Sequence, residues 1–327
     1  MVMVGRSGEL RQLTSAWRRV TAGRHGAIGR RGGAGKRGRA GQPGTVLVTG
    51  EPGVGKSLLA ATAVGGFEPR PSVVLTGAAR VHSPAPYDWL GSVLSGQPDA
   101  RPSVPAEALA WLAQHPDAPR ERYTPDSLLR MAVRVVRDLV GDGPAVLVVE
   151  DLHALDPASL NLVAELAAAP GLPALLLVTS ELSEAPLVSR TLARLCGVPG
   201  TVRAHLAALG PAEVGDLLAT RYADVPAMVL DAVMERTGGN PYRLTELVAM
   251  SPSLDDLGAP ATELTAREHE VLSCLANGMS NKQIARSLGI SIRTVTVHVS
   301  NLLRKTGSAS RTEAALWAVR HQPVAGG

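Results

Sequence analysis

The sequence predicts an α/β domain with a parallel sheet and crossover helices, then a helical segment, then a small all-α domain. Three observations carry this. Short apolar, β-branched runs alternate with helical stretches from Thr45 to about Ser180, the pattern of consecutive βαβ units. From about Pro186 to Met250 the pattern turns mainly helical. Between Thr265 and Glu313, helix-capping signals crowd together.

The 327 residues suit two or three domains at ~100–200 residues each. Apolar residues make up 45%, enough for a packed core, and this excludes wholesale disorder. Aromatics are only 3%, so Leu, Val and Ala must fill that core. The net charge of +4 is spread unevenly: Gly23 to Gly44 carries six Lys/Arg and no acid, and Ala261 to Gly327 carries eight bases against four acids. The remainder has 19 bases and 25 acids, an acidic body flanked by two basic pieces. Such asymmetry points to an appendage that binds a polyanion. Arginine outnumbers lysine 29 to 4, a bias that resembles proteins of GC-rich bacterial genomes.

Cys196 and Cys274 stand far apart without Cys/His partners at metal-ligand spacing, which argues against a disulfide framework or a zinc site. No apolar run approaches ~18 residues, and the N-terminus has no hydrophobic signal segment. The expected location is cytoplasmic, with no membrane partner.

Taken in order, residues 1–22 precede a basic Gly-rich stretch, 23–44, that lacks hydrophobic periodicity and reads as a flexible insertion. Residues 45–185 carry the strands TVLVTG, SVVLTG, AVLVVE and ALLLVTS, with helical stretches such as Ser127 to Val140 between them. Residues 186–250 form the helical segment, 251–261 a Pro/Ser/Asp-rich linker, 262–322 the all-α domain and 323–327 a tail. No repeat of solenoid length is present.

The sharpest motif is Gly50-Glu51-Pro52-Gly53-Val54-Gly55-Lys56-Ser57, between the strand Thr45 to Thr49 and an apolar helix opening at Leu58. Glycines let backbone N–H groups curl around phosphate oxygens, and the helix N-terminus adds positive potential. Lys56 would reach the β- and γ-phosphates and the Ser57 hydroxyl would hold Mg²⁺. The pattern resembles the phosphate loop of P-loop NTPases. Its partner is the apolar strand from Ala145 that ends in Glu150-Asp151. One of these catalytic carboxylates, Glu150, would hold Mg²⁺ through water and the other would orient an attacking water.

With these motifs the body resembles the ATPase module of signal-transducing P-loop NTPases with numerous domains (the AAA/STAND type), found in large LuxR-type regulators. Val4-Gly5-Arg6 with Glu9-Leu10 resembles the N-terminal box that borders the nucleotide base, which implies a nucleotide contact for Arg6. Glu150-Asp151-Leu152-His153-Ala154-Leu155-Asp156 is similar to the family's acidic stretch, and Gly239-Asn240-Pro241 to the turn by which its helical lid approaches nucleotide, which implicates Pro241. The family commonly has Asp where this chain has Glu150, and an Arg where Ser180-Glu181 follows the strand from Ala174. Loss of that Arg implies slow hydrolysis at most. No nucleophile motif accompanies His153 and Asp156, so no catalytic dyad is assigned to them.

In the last domain, Thr265-x-x-Glu268, Ser280-x-x-Gln283 and Ser310-x-x-Glu313 are capping boxes. Ser291 opens another helix, and Asn277-Gly278 and Leu288-Gly289 close two. Four short helices with a tight turn at Gly289-Ile290 are helix-turn-helix grammar. On the third, Val295, Val299 and Leu302 share a core face, while Arg293, Thr296, Val297, Ser300, Asn301 and Arg304 lie opposite, free to enter a major groove. The stretch from Leu264 to about Val319 closely resembles the LuxR-type helix-turn-helix. That resemblance puts Thr296, Val297 and Ser300 on base-reading positions, and Lys282, Thr294, Asn301 and Lys305 near phosphates. For His298, phosphate contact and packing stand as alternatives.

Together these features predict an ATP- and Mg²⁺-binding regulator of transcription whose nucleotide state switches its hold on double-stranded DNA. Paired half-sites, a homodimer or ATP-dependent oligomer, and RNA polymerase are the partners the resemblance implies. Two other readings share the same motifs: an ATPase acting on nucleic acid or protein with the DNA domain as targeting device, and a constitutive DNA binder with a degenerate nucleotide site.

Overall fold

Alternating apolar residues decide the first layer of structure. Along β1 (Gly44–Gly50), Val46 and Val48 face one side of a sheet and Leu47 the other, the period of two that a strand buried on both faces requires. The computed structural model describes residues 3–28, 43–79, 85–97, 102–115, 123–251, 253–258, 264–306 and 308–321. The chain forms two compact units, Met1–Ala207 and Ala208–Gly327.

In the first unit, β1 joins β2 (Val73–Gly77), β3 (Ala145–Val149), β4 (Ala174–Ser180) and β5 (Val202–Leu206) in the order β2-β3-β4-β1-β5. All neighbouring pairs are parallel, so the predicted sheet with crossover helices is present. One face packs on α1 (Ser7–Ile28) and α2 (Lys56–Gly65), with Trp17 stacked on Phe67 at 5.2 Å between ring centroids. Helices α3 (Asp88–Ser95), α4 (Ala106–Leu112), α5 (Pro125–Val140), α6 (Pro157–Ala168) and α7 (Pro186–Gly197) cover the other. Helix α5 shows why: Thr124 caps it by accepting the Ser127 N–H, Pro125 opens it, and Leu128, Ala132, Val135 and Val136 form one buried stripe. Each large side chain buried this way contributes about 1.5–3 kcal/mol.

Three expectations change here. Helix α7 and strand β5 belong to the first unit, so the helical segment does not begin at residue 186. Strand β5 pairs only with β1 and alternates exposed Arg203 and His205 with buried Ala204 and Leu206, so no continuous apolar run marks it. Helix α1 continues through residues 23–28, the start of the expected insertion. Once Leu13, Trp17 and Val20 anchor it, further turns add at little cost. Residues 29–42 of that insertion, and the tail 323–327, lie outside the described residues.

In the second unit, α8 (Pro211–Ala219), α9 (Ala227–Thr237), α10 (Pro241–Met250) and α11 (Leu254–Gly258) enclose Val214, Leu218, Val233, Leu244 and Leu257. Helix α11 is the third change. The expected linker carries a helix whose Leu257 is fully buried and whose Leu257 carbonyl accepts from Arg236 at 3.0 Å. Helices α12 (Ala266–Ala276), α13 (Asn281–Leu288), α14 (Ile292–Thr306) and α15 (Arg311–His321) surround a separate core of Val271, Leu272, Ile284, Val295, Leu302 and Ala314. Capping boxes at Thr265/Glu268 and Ser280/Gln283 are both reciprocal. At the third, Ser310 accepts the Glu313 N–H, but Glu313 returns to the Ala309 N–H instead of that of Ser310. Among the described residues, no helix is long and apolar enough to cross a membrane.

Candidate nucleotide site and DNA-reading helix

The phosphate loop leaves β1, the strand between β4 and β5. Gly50 permits the departure: a Cβ there would stand 2.6 Å from the Leu206 carbonyl oxygen of β5, so no larger residue fits without moving the sheet. Gly55 precedes α2 and gives it no side-chain cap, which leaves the N–H groups of its first turn for an anion. Lys56 is buried, and its ammonium donates to the carbonyls of Gly50 at 3.0 Å and Glu51 at 2.9 Å. Glu51, Pro52, Gly53, Ser57 and Leu58 stay exposed, and Val54 packs into the core beneath the loop.

Glu150 and Asp151 leave the end of β3, and the Glu150 N–H donates to the Gly77 carbonyl of β2 at 3.1 Å. Asp151 adopts a left-handed conformation and its N–H donates to Thr179 Oγ1 of β4 at 3.1 Å. Burial, and then the Asp151 charge, raise the Glu150 carboxyl pKa above its ordinary value, which favours a group able to hold a proton. Beside them Glu181, at the end of β4, lies 3.7 Å from the Lys56 ammonium and 3.6 Å from His153 Nε2. The Glu181 N–H donates to His153 Nδ1 at 3.1 Å. His153 is thus drawn into this site, which its sequence context did not foretell. Asp156 is not: its carboxylate caps α6 through the Ala158 and Ser159 N–H groups and accepts from Tyr87 and Asp88.

Arg6 is buried, donates to the Ala207 carbonyl beyond β5 and sits 3.6 Å from Glu9. Its guanidinium fastens the N-terminal box to the sheet. In the second unit, Asn240 caps α10 by accepting from Tyr242 and Arg243, and Pro241 is its first residue. A Cβ on Gly239 would stand 2.1 Å from the Leu209 carbonyl oxygen. The Gly-Asn-Pro turn therefore has a packing reason independent of any ligand.

On α13 and α14, Lys282, Arg293, Thr296, Ser300 and Arg304 are exposed. Ser291 caps α14 through the Thr294 N–H at 3.1 Å, and the Thr296 hydroxyl donates back to the Ile292 carbonyl at 3.0 Å. Two expected DNA contacts turn inward. The Lys305 ammonium meets Glu268 Oε2 at 2.7 Å, with side chains 2% and 3% exposed, and His298 is buried. Burial lowers the His298 pKa below its ordinary value, an effect partly offset by the Glu268 charge. For His298 the packing alternative is the one the geometry favours. Val297, His298, Asn301 and Arg304 line a cleft of about 570 Å³ together with Glu235, Arg243, Glu246 and Met250 of α9 and α10. Asn301 Nδ2 stands 4.0 Å from Met250 Sδ, and Val297 and Asn301 are half-buried along this edge of α14.

Comparison with known families follows the same division. Residues 33–178 match the model of the AAA ATPase domain, and residues 262–318 match that of bacterial regulatory proteins of the luxR family. The chain joins an AAA ATPase domain to a LuxR-family domain. The chain is 58% identical, across 59 residues, to the uncharacterized transcriptional regulatory protein YhcZ of Bacillus subtilis, covering 18% of this chain and 28% of that one. It is 32% identical to the transcriptional regulatory protein LiaR of Bacillus subtilis over 116 residues, 34% of this chain and 55% of LiaR. It is 49% identical to the nitrate/nitrite response regulator NarL of Escherichia coli over 55 residues, 17% of this chain and 26% of NarL. These alignments span between about a quarter and about half of each relative. Among solved structures, the Aeropyrum pernix Orc1 protein in complex with DNA aligns with 98% of this chain and 93% of its own, at 13% identity and a TM-score of 0.49. The AAA domain's described carboxylates are arranged without a dedicated cage: no group of three His, Cys, Asp or Glu among the described residues could hold a metal ion.

Proposed function

We propose that this AAA–LuxR chain is an ATP-dependent, sequence-reading regulator of transcription. The phosphate loop and the first turn of α2 would hold the phosphates, with Lys56 reaching the terminal ones. Ser57 and Glu150 would hold Mg²⁺, which neutralises phosphate charge when bound. Thr296, Ser300 and Arg293 would read or approach base edges, and Lys282 a phosphate.

One observation carries the link between the two activities. Helix α10 starts at Pro241, in the turn that resembles the family's nucleotide-approaching element, and ends at Met250, beside Asn301 of α14. Ten residues of helix span about 15 Å as a rigid rod. A shift of its first turn would therefore reach the edge of α14 that carries Asn301. Val297 and Asn301 are half-buried beside α10, so parting of α14 from α10 would expose them more fully, which favours a switch. Pairing of two chains would also pair two reading helices for half-sites about 10 base pairs apart.

The nucleotide half is tested by calorimetry with ATP and Mg²⁺ on the full chain and on Lys56→Ala. Binding that the variant loses supports the reading; equal affinity removes the phosphate-loop assignment. Turnover above ~1 s⁻¹, the lower edge of ordinary enzymes, would favour an ATPase acting on a substrate of its own.

A further inference from the structure

We propose that Glu181 sets the preference of the nucleotide site between triphosphate and diphosphate, by competing with the terminal phosphate for Lys56. The inference rests on the nucleotide reading above and adds a specificity-determining residue to it. Three observations support it. Strand β4 lies between β1, which carries the phosphate loop, and β3, which carries Glu150 and Asp151. Ser180 at its end and Glu181 just after it therefore stand between the loop and those carboxylates, where the nucleotide reading places the phosphate farthest from the base. The Lys56 ammonium has three N–H groups. Two contacts are to the carbonyls of Gly50 and Glu51, and among the described residues Glu181 Oε1 is a further neighbour at 3.7 Å. Lys56 is 6% exposed and Glu181 30%, so water screens this pair only in part.

Glu181 is also held from its other side. Its backbone N–H donates to His153 Nδ1 at 3.1 Å, and a neutral imidazole accepting there carries its hydrogen on Nε2. That Nε2 lies 3.6 Å from Glu181 Oε2. The carboxylate thus lies between a lysine and a histidine, 3.7 Å from one and 3.6 Å from the other. A diphosphate brings only its β-phosphate to Lys56. A triphosphate adds a γ-phosphate that draws on the same ammonium and bears the repulsion of the Glu181 carboxylate beside it. The backbone hydrogen bond to His153 fixes where Glu181 starts, beside the place the terminal phosphate would take.

The expected signature is a change in ratio. Glu181→Gln keeps the size and removes the charge. It should raise the affinity for a non-hydrolysable triphosphate analogue with Mg²⁺ on the order of tenfold, for one charge removed at this separation and exposure, and that for ADP by less than about threefold. Calorimetric titration of the full chain would measure both ligands on wild type, Glu181→Gln, Glu181→Ala, the exposed neighbour Glu184→Gln and Lys56→Ala. Both Glu181 variants, with unaltered unfolding temperature, should raise the triphosphate-to-diphosphate ratio while Glu184→Gln leaves it alone. A ratio that stays constant or falls in the Glu181 variants, with binding still lost in Lys56→Ala, overturns the competition and leaves the nucleotide reading standing. Absence of binding by wild type and Glu181 variants alike overturns both.

Discussion

Lys305 Nζ lies 2.7 Å from Glu268 Oε2, and the two side chains are almost withdrawn from solvent. Glu268 also accepts the Thr265 N–H at 2.9 Å, so this ion pair ties the last turn of α14 to the capping box of α12. Removing one partner of a buried pair leaves an uncompensated charge and typically costs about 3–5 kcal/mol. Lys305→Ala is therefore expected to lower the stability of the helix-turn-helix, measured by urea unfolding. The alternative, a phosphate contact, would leave stability intact and flatten the salt dependence of DNA binding.

Lys282 and Thr296 should fail in different ways on DNA. Lys282→Ala removes an exposed charge from α13 and should weaken binding to every sequence, lowering the salt slope by roughly one counterion. Thr296→Ala should cost about 1–3 kcal/mol on the cognate site only. Equal losses on random DNA would show that α14 does not read bases.

Leu257 tests whether the segment after Met250 is docked or merely a tether. Its side chain is fully buried among the α8–α10 core residues. Leu257→Ala should destabilise the second unit by about 2–5 kcal/mol, read as a drop in its unfolding midpoint. A change under half a kcal/mol, the usual size for an exposed position, would mean that α11 is not held there.

The depressed pKa of His298 has a definite sign in stability. The unfolded chain takes up a proton as pH falls through about 6.5, while the buried ring resists it. Stability contributed by the neutral ring is thus complete above about 6.5 and is lost as pH falls toward the lower native value. His298→Asn should flatten the decline in unfolding free energy between roughly pH 7 and 5. An unchanged slope would mean that the ring titrates freely in the native state.

What the sequence made legible was local. Gly50 to Ser57 form a loop between strand and helix, and Thr265 with Glu268 close a helix end, because each of those interactions spans a few residues. The alternation of apolar runs was enough for β1, β3 and β4, which are buried on both faces, and for the edge strand β2, whose outward side still carries the apolar Val74. Strand β5 escaped because an edge strand with Arg203 and His205 outward has no continuous apolar signal. Leu257 escaped because five residues of helix in a Pro/Ser/Asp-rich stretch are fixed by tertiary packing, not by propensity. The inward turn of Lys305, and the meeting of Glu181 with Lys56 and His153, join residues 37, 125 and 28 positions apart. Only the folded chain brings such pairs together.

The central claim is that nucleotide occupancy and DNA engagement are coupled in one chain. Nucleotide can bias that equilibrium only as far as it binds the DNA-competent form more tightly, and a hundredfold preference corresponds to ~2.7 kcal/mol. The direct measurement is DNA affinity of the full chain without nucleotide, with ADP, and with a non-hydrolysable ATP analogue plus Mg²⁺, at one fixed salt concentration. The account predicts tightest binding with the ATP analogue, and loss of that difference in Lys56→Ala. Identical affinities under all three conditions would contradict it.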